Sequence, residues 1–97
     1  MQINFDREFK DLAGATLREN DKPVTLASIA ANALLATYQH ETIDGDEKAR
    51  RWNMARRIFE NKEAVTLSLE EAATIKKLIG MAFGPLIVGQ AFVMLES

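Results

Sequence analysis

The chain contains no cysteine, which excludes disulfides, thiolate metal sites and cysteine catalysis. It has one histidine, His40, so imidazole chemistry has a single residue to draw on. None of its three serines lies in a G-x-S-x-G turn, which argues against a serine nucleophile of that kind. No glycine-rich segment is followed by Lys-Ser or Lys-Thr, so a phosphate-binding loop is not indicated. We therefore expect a protein that is not an enzyme and that holds no cofactor and no metal.

A strong charge of either sign is also missing, because 12 Lys+Arg stand against 14 Asp+Glu, a net charge of −2. This balance argues against a uniformly basic nucleic-acid-binding surface and against an acidic tail. The first residues lack the basic start and apolar run of a secretory signal, so we expect a cytoplasmic location. With 97 residues, of which 47% are hydrophobic, the chain is predicted to form one domain over 1–97.

The sequence predicts a mainly α fold, in which four short helices (25–97) follow a small N-terminal β-hairpin or extended arm (1–24). Residues 2–6 alternate so that Ile3 and Phe5 share one face of a strand. Residues 15–18 could pair with this strand across a turn at 12–14. The segment 20–23 is a turn cluster, because its proline fixes its own φ and disfavours helix in the residue before it.

The first helix is predicted to start after an N-cap at Thr25 and to run to about Tyr38. Asp44 is predicted to cap a second helix over roughly 45–60. The spacing of its apolar residues predicts one inward stripe, and these residues are Trp52, Ala55, Ile58 and Phe59.

The third helix has the clearest start signal, since Ser68 and Glu71 fit a capping box with Leu67 before it. Helical spacing directs its apolar residues inward, and these are Leu69, Ala72, Ile75, Leu78, Ile79 and Ala82. Pro85 then opens a fourth helix that runs to about Leu95, because proline suits the first helical position.

Several strings resemble small, uncharacterised proteins encoded by tailed bacteriophages and prophages. This resemblance covers most of the chain in the same order, and it implies a phage origin and the cytoplasm of a bacterial host. It implies no activity and carries no functional residues. The matching strings are 3–5, 11–14, 25–26, 31–38, 75–80 and 85–91.

Basic residues concentrate in the second helix, where residues 46–57 hold five basic side chains against two acidic ones. Arginine suits phosphate and carboxylate because its planar fork donates two parallel hydrogen bonds. One interpretation is contact with a nucleic-acid backbone or an acidic protein, and the other is a solvated face paired with the protein's own acids. The candidate basic patch comprises Lys48, Arg50, Arg56 and Arg57.

The C-terminal stretch from Leu78 to Leu95 is eighteen residues long and carries no charge. Its length is borderline for a membrane span, but Gly84 and Pro85 fit a break between two helices, so no membrane role is expected. The fourth helix is apolar nearly all round, which indicates either a central core helix or a self-association surface. Gln90 would then be a buried amide that needs partners. The interface candidates are Leu86, Val88, Phe92, Val93 and Met94.

These patterns favour a non-enzymatic, phage-encoded protein–protein interaction or assembly module that forms a homo-oligomer through its fourth helix. A phage or host protein is a further expected partner. The alternative is an accessory protein that binds nucleic acid through the second helix.

Overall fold

Four α-helices account for most of residues 1–96, which are the residues that the computed structural model describes. Two short antiparallel strand pairs accompany them within this range. The mainly α prediction with a small N-terminal hairpin is confirmed. The helices are α1 (Leu26–Leu35), α2 (Gly45–Glu60), α3 (Leu69–Ala82) and α4 (Pro85–Glu96), and the strands are β1 (Gln2–Ile3), β2 (Arg18–Glu19), β3 (Lys22–Pro23) and β4 (Val65–Thr66).

The first strand has a different partner from the one expected. β1 pairs antiparallel with β4, with Ile3 opposite Val65, and the prediction that it pairs with residues 15–18 is wrong. Both of these side chains are buried, so the pairing joins two apolar residues that are distant in sequence, whereas none of residues 15–18 is fully buried. The expected turn at 12–14 is present, but it brings 15–17 back to Phe9, whose carbonyl accepts from the amide of Leu17 at 2.9 Å.

The N-terminal hairpin is formed by β2 and β3. Its two-residue turn, Asn20 and Asp21, has φ angles of 53° and 63°. A turn with two positive φ angles matches the twist of antiparallel strands, and Asn and Asp tolerate that region better than most residues. The first half of the predicted turn cluster therefore lies at the tip of the hairpin, and its second half, Lys22–Pro23, forms β3.

The start of α1 is held by its own cap and by the N-terminal arm. Thr25 and Ser28 form a reciprocal capping box. The first two amides of the helix, those of Leu26 and Ala27, donate to the carbonyls of Arg7 and Phe5, both at 2.9 Å. Helix starts leave such amides without partners inside the helix. The arm is thus part of the α1 cap.

The first helix ends at Leu35 rather than near Tyr38. Ala36 is already extended, with ψ of 154°, and the Tyr38 hydroxyl donates to the carbonyl of Ala33 at 2.7 Å. A side chain from beyond the helix thus takes the place of a further helical amide at that carbonyl.

The inward stripe predicted for α2 is wrong at its two aromatic residues. Trp52 is 56% exposed and Phe59 is 47% exposed, while Arg51 and Met54 are buried beside Ala55 and Ile58. Two overlapping apolar stripes run along α2, and both include Ala55 and Ile58. The buried stripe also contains Met54, whereas the exposed side carries the larger Trp52 and Phe59. The alanine-rich face of α1 packs closely against the buried stripe, and bulky rings on that side would hold the helices apart.

The third helix contacts both α1 and α4. Ile75, Leu78 and Ile79 are fully buried in it, as expected, and the Ser68–Glu71 capping box is confirmed. Leu69 is 78% exposed and Ala82, the last residue of the helix, is exposed as well, so the prediction that these two point inward is wrong. Leu69 is the first residue of the helix, ahead of the turn where the packed face begins.

The fourth helix is joined to the N-terminal arm as well as to α3. The amide of Lys10 donates to Oε1 of Gln90 at 2.9 Å, and Nε2 of Gln90 donates back to the carbonyl of Lys10 at 2.7 Å. Gln90 is half-buried rather than buried, and its amide finds its partners in the backbone of the same chain. In the described part of the chain, no helix is long and apolar enough to cross a membrane.

The Ser68 cap gives a direct test of the α3 start. We expect Ser68→Ala to lower the free energy of unfolding by about 1 kcal/mol, because the amide of Glu71 loses its acceptor. The Thr74→Ala control removes a hydroxyl that binds only the carbonyl of Glu70 in its own helix, and its effect should stay within about 0.5 kcal/mol. Urea unfolding measures both, and equal effects would contradict the capping role.

Candidate functional site

Two arginines of the predicted basic patch are held by acids of the same chain. Arg50 contacts Glu47 at 3.3 Å. Arg57 binds Glu71 at 2.6 Å and donates to the carbonyl of Thr66 at 2.6 Å. The Arg57 guanidinium and the Ser68 amide hold the pKa of the Glu71 carboxyl below its ordinary value. These contacts tie α2 to the start of α3, and they use donors that a phosphate would need.

The outer face of α2 carries two exposed aromatic rings that the sequence pattern placed in the core. Arg56 pairs with Glu60 and also lies over the Trp52 ring, 5.5 Å from its centroid. The Lys62 ammonium lies 4.7 Å from the centroid of the Phe59 ring. Each ring therefore has a cation against its face. One sign of this orientation was available in the sequence. Arg51 lies near the predicted apolar stripe, and a charged side chain at that position conflicts with an inward Trp52.

Among the residues that the structure describes, Arg51 is the one charged residue that is buried, and it was not among the predicted site residues. Its guanidinium makes two bonds to Glu41, at 2.6 and 2.8 Å, and one to Glu47 at 3.0 Å. Hydrogen bonding to Glu41 raises the pKa of Arg51, and the same contact lowers the pKa of the Glu41 carboxyl. The Arg51 side chain is only 7% exposed. Because Glu41 lies in the connector after α1, the ion pair ties that connector to the middle of α2.

A cleft of about 450 Å³ lies beside this ion pair, between the end of α1, the connector 36–43 and the first turns of α2. Its apolar wall includes Leu34, Leu35 and Ile43. Tyr38 forms part of the lining, and its hydroxyl donates to carbonyls of α1 and α3. Burial raises the pKa of this phenol. Lys48, a member of the predicted basic patch, also lines the cleft.

The five interface candidates of the fourth helix divide between its two sides. Met94 is buried in the core, and Val88 and Phe92 are half-buried. The Lys76 ammonium lies 4.8 Å from the centroid of the Phe92 ring. Leu86 and Val93 face outward, at 40% and 64% exposed. The helix is thus a core element on one side and an open apolar element on the other.

The exposed part of the C-terminal stretch is uncharged. Every exposed residue between positions 78 and 95 is glycine, alanine, proline, methionine, leucine or valine. A shallow groove of about 470 Å³ runs along it, and Gly89 lines this groove. We call the groove and the outward residues of α4 the C-terminal apolar surface, which comprises Gly80, Gly84, Pro85, Leu86, Gly89 and Val93.

Groups suited to catalysis or metal binding are engaged elsewhere or lie apart. Within residues 1–96, no three carboxylate or imidazole side chains are placed to share a metal ion. The hydroxyls of Ser28 and Ser68 take part in helix caps, and His40 lies exposed in the connector. No group of catalytic or metal-binding side chains therefore marks a site in this part of the chain. The candidate sites are the cleft, the outer face of α2 with its two exposed rings, and the C-terminal apolar surface.

Comparison with protein-family models, with curated proteins and with solved structures found no match for this chain. The phage resemblance of the sequence stays a prediction, and the case for function depends on the surfaces described above.

The Arg51 ion pair should dominate the contribution of α2 to stability. We expect Arg51→Gln to lower the free energy of unfolding clearly more than Arg50→Gln does, because the buried Arg51 makes a bidentate pair with Glu41 and a further bond to Glu47. Arg50→Gln is the matched control, since this half-exposed residue contacts Glu47 through two long bonds of 3.3 and 3.4 Å, and its effect should be below about 0.5 kcal/mol. Chemical denaturation measures both variants, and similar values would show that Arg51 is only another surface charge.

The two carboxyls with lowered pKa values predict the behaviour of the protein in acid. Both are more acidic folded than unfolded, so their stabilisation is complete above the ordinary value of 4.5 and is lost as pH falls below it. We expect the free energy of unfolding to fall between pH 5 and pH 3. In the double variant Glu41→Gln, Glu71→Gln this acid slope should be shallower, while stability at pH 7 is lower. An unchanged slope would contradict the assignment.

Proposed function

We propose that this chain is a non-enzymatic, phage-encoded interaction or assembly module that associates with a second copy through the C-terminal apolar surface. The observation that carries the proposal is the exposure of Leu86 and Val93 on a surface without charge. Continuous apolar surface of this kind marks interaction sites more often than chance exposure of single residues.

The outward face of α4 is self-complementary in shape. Leu86 and Val93 lie about 20° apart around the helix, and Gly89 lies between them along it. If two copies of α4 pair antiparallel about the midpoint between Gly89 and Gln90, each Leu86 lies beside the partner's Val93. A β-carbon added at Gly89 would meet no atom of its own chain within 4 Å, so intrachain packing does not explain why the smallest residue stands there. Close approach of a second helix does explain it.

The size of this surface predicts weak association. A twelve-residue helix is about 18 Å long, so its contact with one partner helix is well below the roughly 800 Å² per partner of a standard stable interface. The end of α3 and the groove add to the contact, but the dimer should still form and dissociate with concentration. Reversible self-association suits an assembly accessory that must exchange partners.

Nucleic-acid binding has less support than it had from the sequence. Arg50, Arg56 and Arg57 each make an ion pair within the chain, so a phosphate would have to displace a carboxylate to reach them. Lys48 is the one member of the predicted patch without such a pair among the described residues. A single available cation gives little of the counterion release on which such binding depends.

Two substitutions test self-association without disturbing the fold. Val93→Lys places a charge on the exposed stripe, and Gly89→Gln places a long side chain at the proposed centre. We expect each to weaken the dimer at least tenfold in sedimentation equilibrium. Gly89→Gln should also raise monomer stability, because glycine inside a helix is unfavourable, so its effect cannot be attributed to unfolding.

The control for this test is Leu12→Lys. Leu12 is 98% exposed but lies in the turn at 12–14, outside the C-terminal apolar surface. The Leu12→Lys substitution should therefore leave the association constant of the dimer unchanged. A native chain that stays monomeric at millimolar concentration, or a dimer that survives both α4 substitutions, would overturn the proposal.

A further inference from the structure

The cleft beside Arg51 combines an apolar wall with one cation that no acid neutralises. Leu34, Leu35 and Ile43 supply apolar surface along one side. Its volume of about 450 Å³ lies within the range of small-molecule sites, which are mostly apolar with a few polar groups that orient the ligand. The cleft is separate from the C-terminal apolar surface, since the two share no lining residue.

Lys48 is the group that selects the charge of a ligand. Among residues 1–96 its ammonium makes no ion pair or hydrogen bond, although Asp44 stands one turn before it. The Asp44 carboxylate instead accepts from the amide of Glu47 as the helix cap, at 2.9 Å. Glu41 and Glu47, the other acids close to the cleft, are bound to Arg51. An anion that enters the cleft would therefore meet a free cation and acids that are already compensated.

The walls of the cleft are held in place before any ligand arrives. The Glu41–Arg51 pair ties the connector to α2, and the Tyr38 hydroxyl ties the connector to α1 and α3. The hydroxyls of Thr37 and Thr42 make no hydrogen bond in the described residues, so they remain available to a ligand. A preorganised site loses less conformational entropy on binding than one that must form around its ligand.

We propose that this cleft binds a small organic anion with an apolar body, whose acidic group lies against Lys48 and whose body lies against Leu34, Leu35 and Ile43. A carboxylate or a sulfonate would satisfy the ammonium equally well, because either supplies oxygen acceptors to its three donors. The site does not depend on self-association, so it can be present in a protein that is a monomer.

Fluorescence titration with 1-anilinonaphthalene-8-sulfonate tests this site, because the probe joins an aromatic body to a sulfonate. We expect one saturable site per chain and displacement of the probe by octanoate. Lys48→Gln should weaken probe binding at least fivefold, and Lys48→Arg should restore most of it. Leu35→Glu, at a 58% exposed position of the wall, should weaken binding by placing a like charge next to the sulfonate.

Two controls separate the cleft from other apolar surfaces. Lys22→Gln removes a cation from β3, which does not line the cleft, and should leave the affinity unchanged. Val93→Lys alters the C-terminal apolar surface and should also leave it unchanged. Probe binding that is lost in Val93→Lys but kept in Lys48→Gln, or that never saturates, would overturn the proposal, while near-ultraviolet circular dichroism confirms that every variant is folded.

Discussion

The fourth helix carries more apolar surface than its neighbours can cover. Its main helical contact is α3. The N-terminal arm contacts it through the two hydrogen bonds between the Gln90 side chain and the Lys10 backbone. A helix of this composition is stable in water when most of its circumference is enclosed. Here Ala91, Met94 and Leu95 are buried while Leu86 and Val93 are not. That imbalance is the physical basis for the proposed second copy.

The second helix illustrates how one buried charge changes the meaning of a surface. With Arg51 turned inward and bound by Glu41 and Glu47, the helix presents Trp52 and Phe59 to solvent, where Arg56 lies over one ring and Lys62, just beyond the helix, lies over the other. The same rotation places Lys48 at the cleft. The basic patch seen in the sequence is thus a set of internal ion pairs with one cation left over.

Local signals were sufficient to predict much of this fold. The caps at Thr25, Asp44 and Ser68 are correct because a cap is formed by residues within one turn of each other. The partner of β1 could not be read in this way, because Val65 lies more than sixty residues from Ile3 and many segments have similar apolar character. The rotation of α2 was missed because two stripes with the same spacing overlap, and only packing against α1 decides between them.

The candidate sites also divide into features that local sequence predicts and features that depend on long-range packing. The apolar character of α4 was evident from composition, but which of its residues face outward depends on where α3 lies. The cleft was not predictable, since its wall joins residues from α1, the connector and α2, and its one free cation is free only because the nearby acids are bound elsewhere.

The most direct test of the central claim is a dilution series followed by ¹H–¹⁵N correlation spectroscopy. If the uncovered side of α4 meets a second copy, concentration-dependent shifts should concentrate at residues 80–93 and leave α1 and the hairpin unchanged. Spectra that do not change with concentration, or shifts centred on the outer face of α2, would contradict the account.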